Sequence, residues 1–206
     1  MADKSTYQVP QEIRSAVRAN TPTIKYRGTA KIADSAVLAP SCQITGDVEL
    51  GEDCVVFANA VIRADSDKVV IGPETNVQEC CVLHENNGNP LVVGAHCTLG
   101  HGCILHSCTL GDNTMVGMNA VVLDGAVLGK NCAVAAGAVV LSSMVAPDNS
   151  LIAGVPAKVV KTMDQTQVDK VSTETAEINL CEGARMLAEG LMLHPTPELL
   201  KKIGAL

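Results

Sequence analysis

A six-residue period runs through most of this chain and leaves few folds open to it. Aliphatic residues recur at Ile32, Leu38, Ile44, Leu50, Val56 and Ile62, then at Ile71, Val77 and Leu83, then at Val93, Leu99 and Leu105. The series resumes at Leu110, Val116, Val122, Leu128, Val134 and Val140. Gly follows directly at Gly51, Gly72, Gly94, Gly100, Gly111, Gly117 and Gly129, and the residue two places before the aliphatic is small, as at Ala36, Ala60, Thr75, Thr114, Ala120 and Ala138. Alternate residues of a strand face opposite sides, so the aliphatic and the small residue point inward, their neighbours point outward, and the remaining two residues turn a corner. Three such strands close a triangular coil, and these eighteen hexads predict about six coils stacked roughly 4.8 Å apart. The fold class is therefore an all-β solenoid, a parallel β-helix expected over residues 26–160. A segment at 1–25, compatible with a short helix at Gln11–Arg18, precedes it, and a helical tail at 161–206 follows.

The composition is consistent with this. Hydrophobic residues make up 47% of the chain, yet only Tyr7, Tyr26 and Phe57 carry aromatic rings, so the core must be built from aliphatic layers. Seven of the nine cysteines (Cys42, Cys54, Cys81, Cys97, Cys103, Cys108 and Cys132) occupy the small inward position and read as core filler. Cys80 and Cys181 fall outside the pattern and are assigned no role. The formal charge of −7, without any Lys/Arg block, argues against a nucleic-acid footprint or a polybasic membrane patch. No apolar run is long enough to span a bilayer, and Met1–Pro10 lacks a secretory pattern, so a cytoplasmic location with reduced thiols is expected.

The period breaks three times, and each break lies near a histidine. Ile62 to Ile71 is too long, Leu83 to Val93 holds the polar loop His84–Pro90, and Leu105 to Leu110 is one residue short. Insertions in a solenoid mark its working surface. With three hexads per turn, the residues following the stacked aliphatics of one face form an outward column of Thr45, Arg63, His84, His106 and Leu123. His84 and His106 therefore come one coil apart, close enough to share an ion that takes nitrogen ligands at about 2.0–2.1 Å. The companion outward column, Val61, Val82, Ile104, Val121 and Val139, is an apolar strip of the kind that marks an interface. His101 lies on a corner above Asn76 and Gln78 and cannot easily reach that ion within its own chain. A cyclic assembly would bring it to the His84 face of a neighbour, and a triangular prism points to a homotrimer.

At these residues the chain resembles the γ-class carbonic anhydrase family. The motifs are Arg63-x-Asp65, Asn76-Val77-Gln78, Val82-Leu83-His84, Gly100-His101-Gly102-Cys103-Ile104-Leu105-His106, Val116-Gly117-Met118-Asn119-Ala120 and Gly154-Val155-Pro156-Ala157-Lys158. The resemblance covers about residues 26 to 160 and includes the family's carnitine-operon and phenylacetate-operon branch. It implies a left-handed helix of hexapeptide repeats, with zinc bound by His84, His101 and His106. It further implies Arg63 and Asp65 as the structural interface pair and Gln78, beside Asn76, as the water-positioning amide. Iron(II) or cobalt(II) would also suit three imidazoles. The implied chemistry is reversible hydration of CO2 to bicarbonate by a metal-bound hydroxide at the subunit boundary. The chain departs from the family's most active members in carrying Ser66 where they place an acid and in having a shorter loop after the first histidine. Glu85 is the nearest remaining carboxylate for moving a proton. Ile152 stands at the position where some members carry an aromatic residue.

Two other functions compete with this one. Hexapeptide-repeat proteins include acyltransferases, and the operon relatives point toward acyl-CoA metabolism, so a CoA-dependent acyltransferase or thioesterase is the alternative; a metal-bearing trimer with little turnover is the third. An acyltransferase or thioesterase has no need of three converging histidines. His96 and His194 read as surface residues. The column Gly51, Gly72, Gly94, Gly111 and Gly129 gives either backbone relief at corners or a bare strip for a helix. The tail supplies a helix over Ser172–Leu193 with apolar spacing at Ile178, Cys181, Ala184, Leu187 and Leu191, and Thr196-Pro197 reads as the cap of a final short helix.

Overall fold

The computed structural model describes residues 29–206, and both the segment at 1–25 and the helix expected at Gln11–Arg18 lie outside the described residues. From Lys31 to Gly154 the chain winds as a parallel β-solenoid of about seven turns. The hexads behave as their chemistry requires. Ile44, Ile62, Leu83, Leu105, Val122 and Val140 are fully buried and in register from coil to coil, while Val82 and Ile104 between them face outward. One face is a separate sheet running from Val37–Leu38 to Ala157–Thr162. The other two join into one sheet because Gln43–Leu50 and Val61–Ile71 bend around their shared corner without interruption.

The extra turn comes from Ala146 and Ile152, which stack on Leu128 and Val134 after the aliphatic series has faded. Corners repeat a left-handed residue, among them Asp53, Asn59, Glu74, Cys80, His96, Asn113, Asn119, Asn131 and Asn149. This conformation costs least for Asn and Asp among residues with a Cβ, and it places Cys80 and His96 as corner residues. The seven inward cysteines are buried and free, and Cys80 and Cys181 are exposed.

The two long insertions are absorbed differently. Val61–Ile71 stays extended, with a register shift opposite Gly46 and Val48; at Gly46, with φ +88°, a Cβ would fall 1.8 Å from the Ala64 carbonyl oxygen. The loop after His84 closes in a tight turn from Asn86 to Asn89 and is fastened from two sides. Ser107 Oγ accepts from the Asn86 N–H at 2.7 Å, and Asp67 accepts from the Gly88 N–H at 2.8 Å.

The tail straps the solenoid. After the hairpin of Ser150–Gly154 with Ala157–Thr162, a capping box at Asp164 and Gln167 starts a helix that runs through Gln165–Val168, a π-helical turn at Asp169–Thr173, and Glu174–Ala188. It lies across Val37–Leu38, Val55–Val56, Asn76–Val77 and Thr98–Leu99. Its packing face is Ala176, Leu180, Gly183 and Leu187, so the expected stripe is rotated: Ile178, Cys181 and Leu191 face outward. Small residues let the helix approach a flat, partly polar sheet, and a Cβ on Gly183 would lie 2.6 Å from Val55 Cγ1. The glycine column takes no part in this contact. A Cβ on Gly51, Gly72 or Gly111 would instead strike the backbone of the next coil, so these glycines relieve corners. Leu193 then pairs with Leu38, and the Thr196-capped helix Pro197–Ile203 seats Leu199 and Ile203 in the open end of the solenoid core. A solenoid needs such an end cap because its terminal coil otherwise exposes apolar core to water.

Candidate metal centre

Strands Val82–His84 and Ile104–His106 are neighbours with His84 opposite His106, and Arg63 lies opposite His84 on the coil before. The two imidazoles tilt toward each other by 55° with centroids 5.0 Å apart, and His84 Nδ1 stands 3.0 Å from His106 Nε2. The outer nitrogens face carboxylates. His84 Nε2 is 2.9 Å from Asp65 Oδ1, and Asp65 is also gripped by Arg63. His106 Nδ1 lies 3.0 Å from Asp124 Oδ2, outside hydrogen-bonding alignment.

The polarity of this arrangement constrains what it can hold. An ionised carboxylate only accepts, so Asp65 fixes the proton of His84 on Nε2 and turns the Nδ1 lone pair toward His106. That lone pair stands 3.0 Å from His106 Nε2, which donates to it in one neutral tautomer and presents a second lone pair in the other. A cation placed between them would be held by both lone pairs once the His106 proton sits on Nδ1. A carboxylate behind a ligating imidazole is also the usual support of a metal site. Burial acts to raise the Asp65 carboxyl, but hydrogen bonds from His84 and Arg63 and the Arg63 charge outweigh it and hold Asp65 below the ordinary range. Asp124 is also held low, its desolvation overcome by its backbone hydrogen bond and by His106.

His101 sits on the corner before Ile104 and, as expected, does not join this pair. Its side chain is half exposed, and its Nδ1 is 2.7 Å from Glu79 Oε2. Each of the three histidines thus has a carboxylate beside one ring nitrogen. Arg63 and Asp65 pair within the chain at the edge of the same site. Asn76 and Gln78 lie on the neighbouring face beneath the tail helix, where both are buried, so Gln78 is already engaged by its own chain: it donates to Asn179 Oδ1 at 2.8 Å and accepts from the His101 N–H at 3.1 Å. Glu85 is fully buried. Its Oε1 accepts from the Ser66 N–H at 2.8 Å, its Oε2 has no protein partner among the described residues, and it forms a cluster with Asp65 and His84 whose potential ligand atoms all lie within 4.8 Å. His96 pairs with Glu74, and His194 donates from Nδ1 to the Ala36 carbonyl, both away from the centre.

The sequence reading missed Asp124, Glu79 and the contact of Asp65 with His84. Glu79 was within reach of the same column logic, being one coil before His101, whereas Asp124 stands one residue beyond Leu123, the column neighbour of His106, and Asp65 two beyond Arg63, the column neighbour of His84.

Fold and site together define a hexapeptide-repeat solenoid protein with a histidine-built candidate metal centre. Family profiles described as bacterial transferase hexapeptide (six repeats) and hexapeptide repeat of succinyl-transferase match residues 107–142 and 90–123. A "Probable carbonic anhydrase" of Methanocaldococcus jannaschii is 47% identical over 140 residues, covering 68% of this chain and 88% of that protein. A "Carbonic anhydrase" of Geobacillus kaustophilus is 44% identical over 156 residues, covering 74% and 86%. Among solved structures, a putative acetyltransferase of Bacillus cereus superposes with a TM-score of 0.69 at 35% identity, covering 75% of this chain and 92% of that one. The chain belongs to the γ-class carbonic anhydrase family. Among the described residues no helix is long and apolar enough to cross a membrane.

Proposed function

We propose that this chain is a zinc-dependent carbonic anhydrase that interconverts CO2 and bicarbonate. His84 and His106 of one subunit and His101 of an adjacent subunit hold the ion in a homotrimer. The observation that carries this reading is the 3.0 Å approach of two imidazole nitrogens whose outer nitrogens face carboxylates. Two nitrogens bound to one tetrahedral zinc at 2.0–2.1 Å lie about 3.3 Å apart, so the pair needs to open by only a few tenths of an ångström. Held by these three imidazoles, zinc would supply the acidified water, with a pKa near 7, that CO2 hydration requires.

The chain's own residues supply the rest. Asp65 keeps the His84 Nδ1 lone pair directed inward, and Arg63 keeps Asp65 ionised. Val82 and Ile104, exposed in the single chain, give the subunit boundary its apolar wall and keep bulk water from the reacting carbon. Gln78, held beside His101 by the hydrogen bond from the His101 backbone N–H, is the amide that orients the attacking oxygen in this reading. Asp65 and Glu85 serve as supports in this reading, since each already holds a protein donor, Arg63 and the Ser66 N–H respectively. A buried Glu85 is poorly placed to release a proton to water, so proton removal is expected to limit turnover.

The test is stopped-flow CO2 hydration by zinc-loaded protein, run beside acyl-CoA hydrolysis and acetyl transfer from acetyl-CoA. CO2 turnover lost in His106→Ala supports the proposal. CoA release without CO2 turnover would overturn it in favour of the acyl-transfer reading, for which the putative acetyltransferase of Bacillus cereus is the structural precedent.

A further inference from the structure

We infer that Asn179, on the tail helix, is a positioning residue for His101 and acts through Gln78. This deepens the metal reading above and rests on His101 being a ligand. The side chain of Asn179 donates from Nδ2 to the Thr175 carbonyl at 2.7 Å and accepts at Oδ1 from Gln78 Nε2 at 2.8 Å. Gln78 Oε1 accepts from the backbone N–H of His101 at 3.1 Å. A backbone group closes the relay at each end: the Thr175 carbonyl can only accept and the His101 N–H can only donate. Both amides are therefore locked in one orientation, with neither able to flip without setting like against like. The bonds are aligned head to tail and shielded, since Gln78 is only 6% exposed, so each polarises the next.

The relay meets a specific need of the coil. Around the corner, the N–H of Gly100 goes to the Val116 carbonyl and that of Gly102 to the Glu79 carbonyl, as in an ordinary coil-to-coil ladder. The His101 N–H between them is taken by a side chain instead, so the backbone that aims this imidazole is fixed by Gln78 and, behind it, by the tail. Among the described residues the Gln78 side chain bonds the solenoid through the His101 N–H, and its Nε2 turns outward to the tail. The tail helix supplies the acceptor, and its close approach through Gly183 and Ala176 brings Asn179 within reach.

Residue-resolved hydrogen exchange on the metal-free full-length protein, together with cobalt(II) titration, tests the inference. Asn179→Ala should speed exchange of the His101 amide at least tenfold and weaken cobalt(II) binding by about tenfold, the lower end of what outer-shell substitutions cost. Asn179→Asp keeps an acceptor for Gln78 but loses the donor to the Thr175 carbonyl, and should fall between the parent and Asn179→Ala in exchange at His101. Thr173→Ala removes a different tail contact, that with Asn113, and should change neither readout. Unchanged His101 exchange in Asn179→Ala, or equal losses in Thr173→Ala, would overturn the inference. His101→Ala checks the parent reading separately: undiminished cobalt(II) binding there would sink the shared metal site, while exchange still decides the relay.

Discussion

At the scale of single residues, function depends on which ring nitrogen carries the proton. His84 and His106 would be two unremarkable strand residues if their inner nitrogens were not opposed and their outer ones not backed by Asp65 and Asp124. Asp65→Asn replaces a pure acceptor by a group that can also donate, which loosens the His84 tautomer. Zinc affinity is expected to fall by about 10- to 100-fold with the fold intact, as read by competition with a chelating dye and by circular dichroism. The cysteines make a separate prediction at this scale. Burial pushes the Cys42, Cys97 and Cys108 thiols up to about 12, from an ordinary value of 9.0. Their contribution to stability is therefore complete below pH 9.0 and is lost as pH rises through about 12, where the fold must accept buried thiolates or open. At pH 8 a thiol reagent should titrate Cys80 and Cys181 quickly and the other seven only after unfolding; fast reaction of more than two would contradict the burial.

At the scale of elements, the tail helix and the end cap hold a ladder that cannot finish itself. Gly183→Val would drive a side chain into Val55, with a cost of about 1–3 kcal/mol. Leu199→Ala would leave a void in the solenoid's open end, with a cost of about 2–5 kcal/mol. Urea denaturation measures both, and a shift in midpoint at constant slope is the expected form. The outward strip of Val82 with Ile104, and the exposed Ile178 and Leu191 of the tail, should tolerate polar substitution in the isolated chain and differ in the assembly: only the former borders the proposed centre.

At the scale of the whole molecule, the solenoid was legible because one short period fixes strand length, inward side and stacking at once. Ile44 through Val140 lie where the repeat, carried across its three breaks, places them, and His84 met His106 because their coil separation could be counted from the same ladder. What was hidden lacks that periodicity. Ala146 is too small to announce a coil, so the last turn went uncounted. The tail's rotated face depends on Gly183 and Ala176, whose smallness matters only against Val55 and the sheet. Asp124 was hidden because it stands off the counted column and becomes a partner of His106 only once the ring orientation is known. Burial of Glu85 also has a consequence at this scale. If proton release limits turnover, raising the concentration of a small buffer such as imidazole should raise kcat for CO2 hydration severalfold and leave kcat/KM nearly unchanged; a buffer-independent kcat would contradict that.

The central claim is that the centre takes two histidines from one copy of the chain and the third from another. Subunit complementation tests it most directly, through zinc content after co-refolding His101→Ala with His84→Ala at equal amounts. Each variant alone should bind no zinc. Random trimers of the two should regain about a quarter of the sites, because a boundary is intact only when His84 and His106 come from one variant and His101 from the other. Zinc retained by His101→Ala alone, or none regained on mixing, would contradict a shared site.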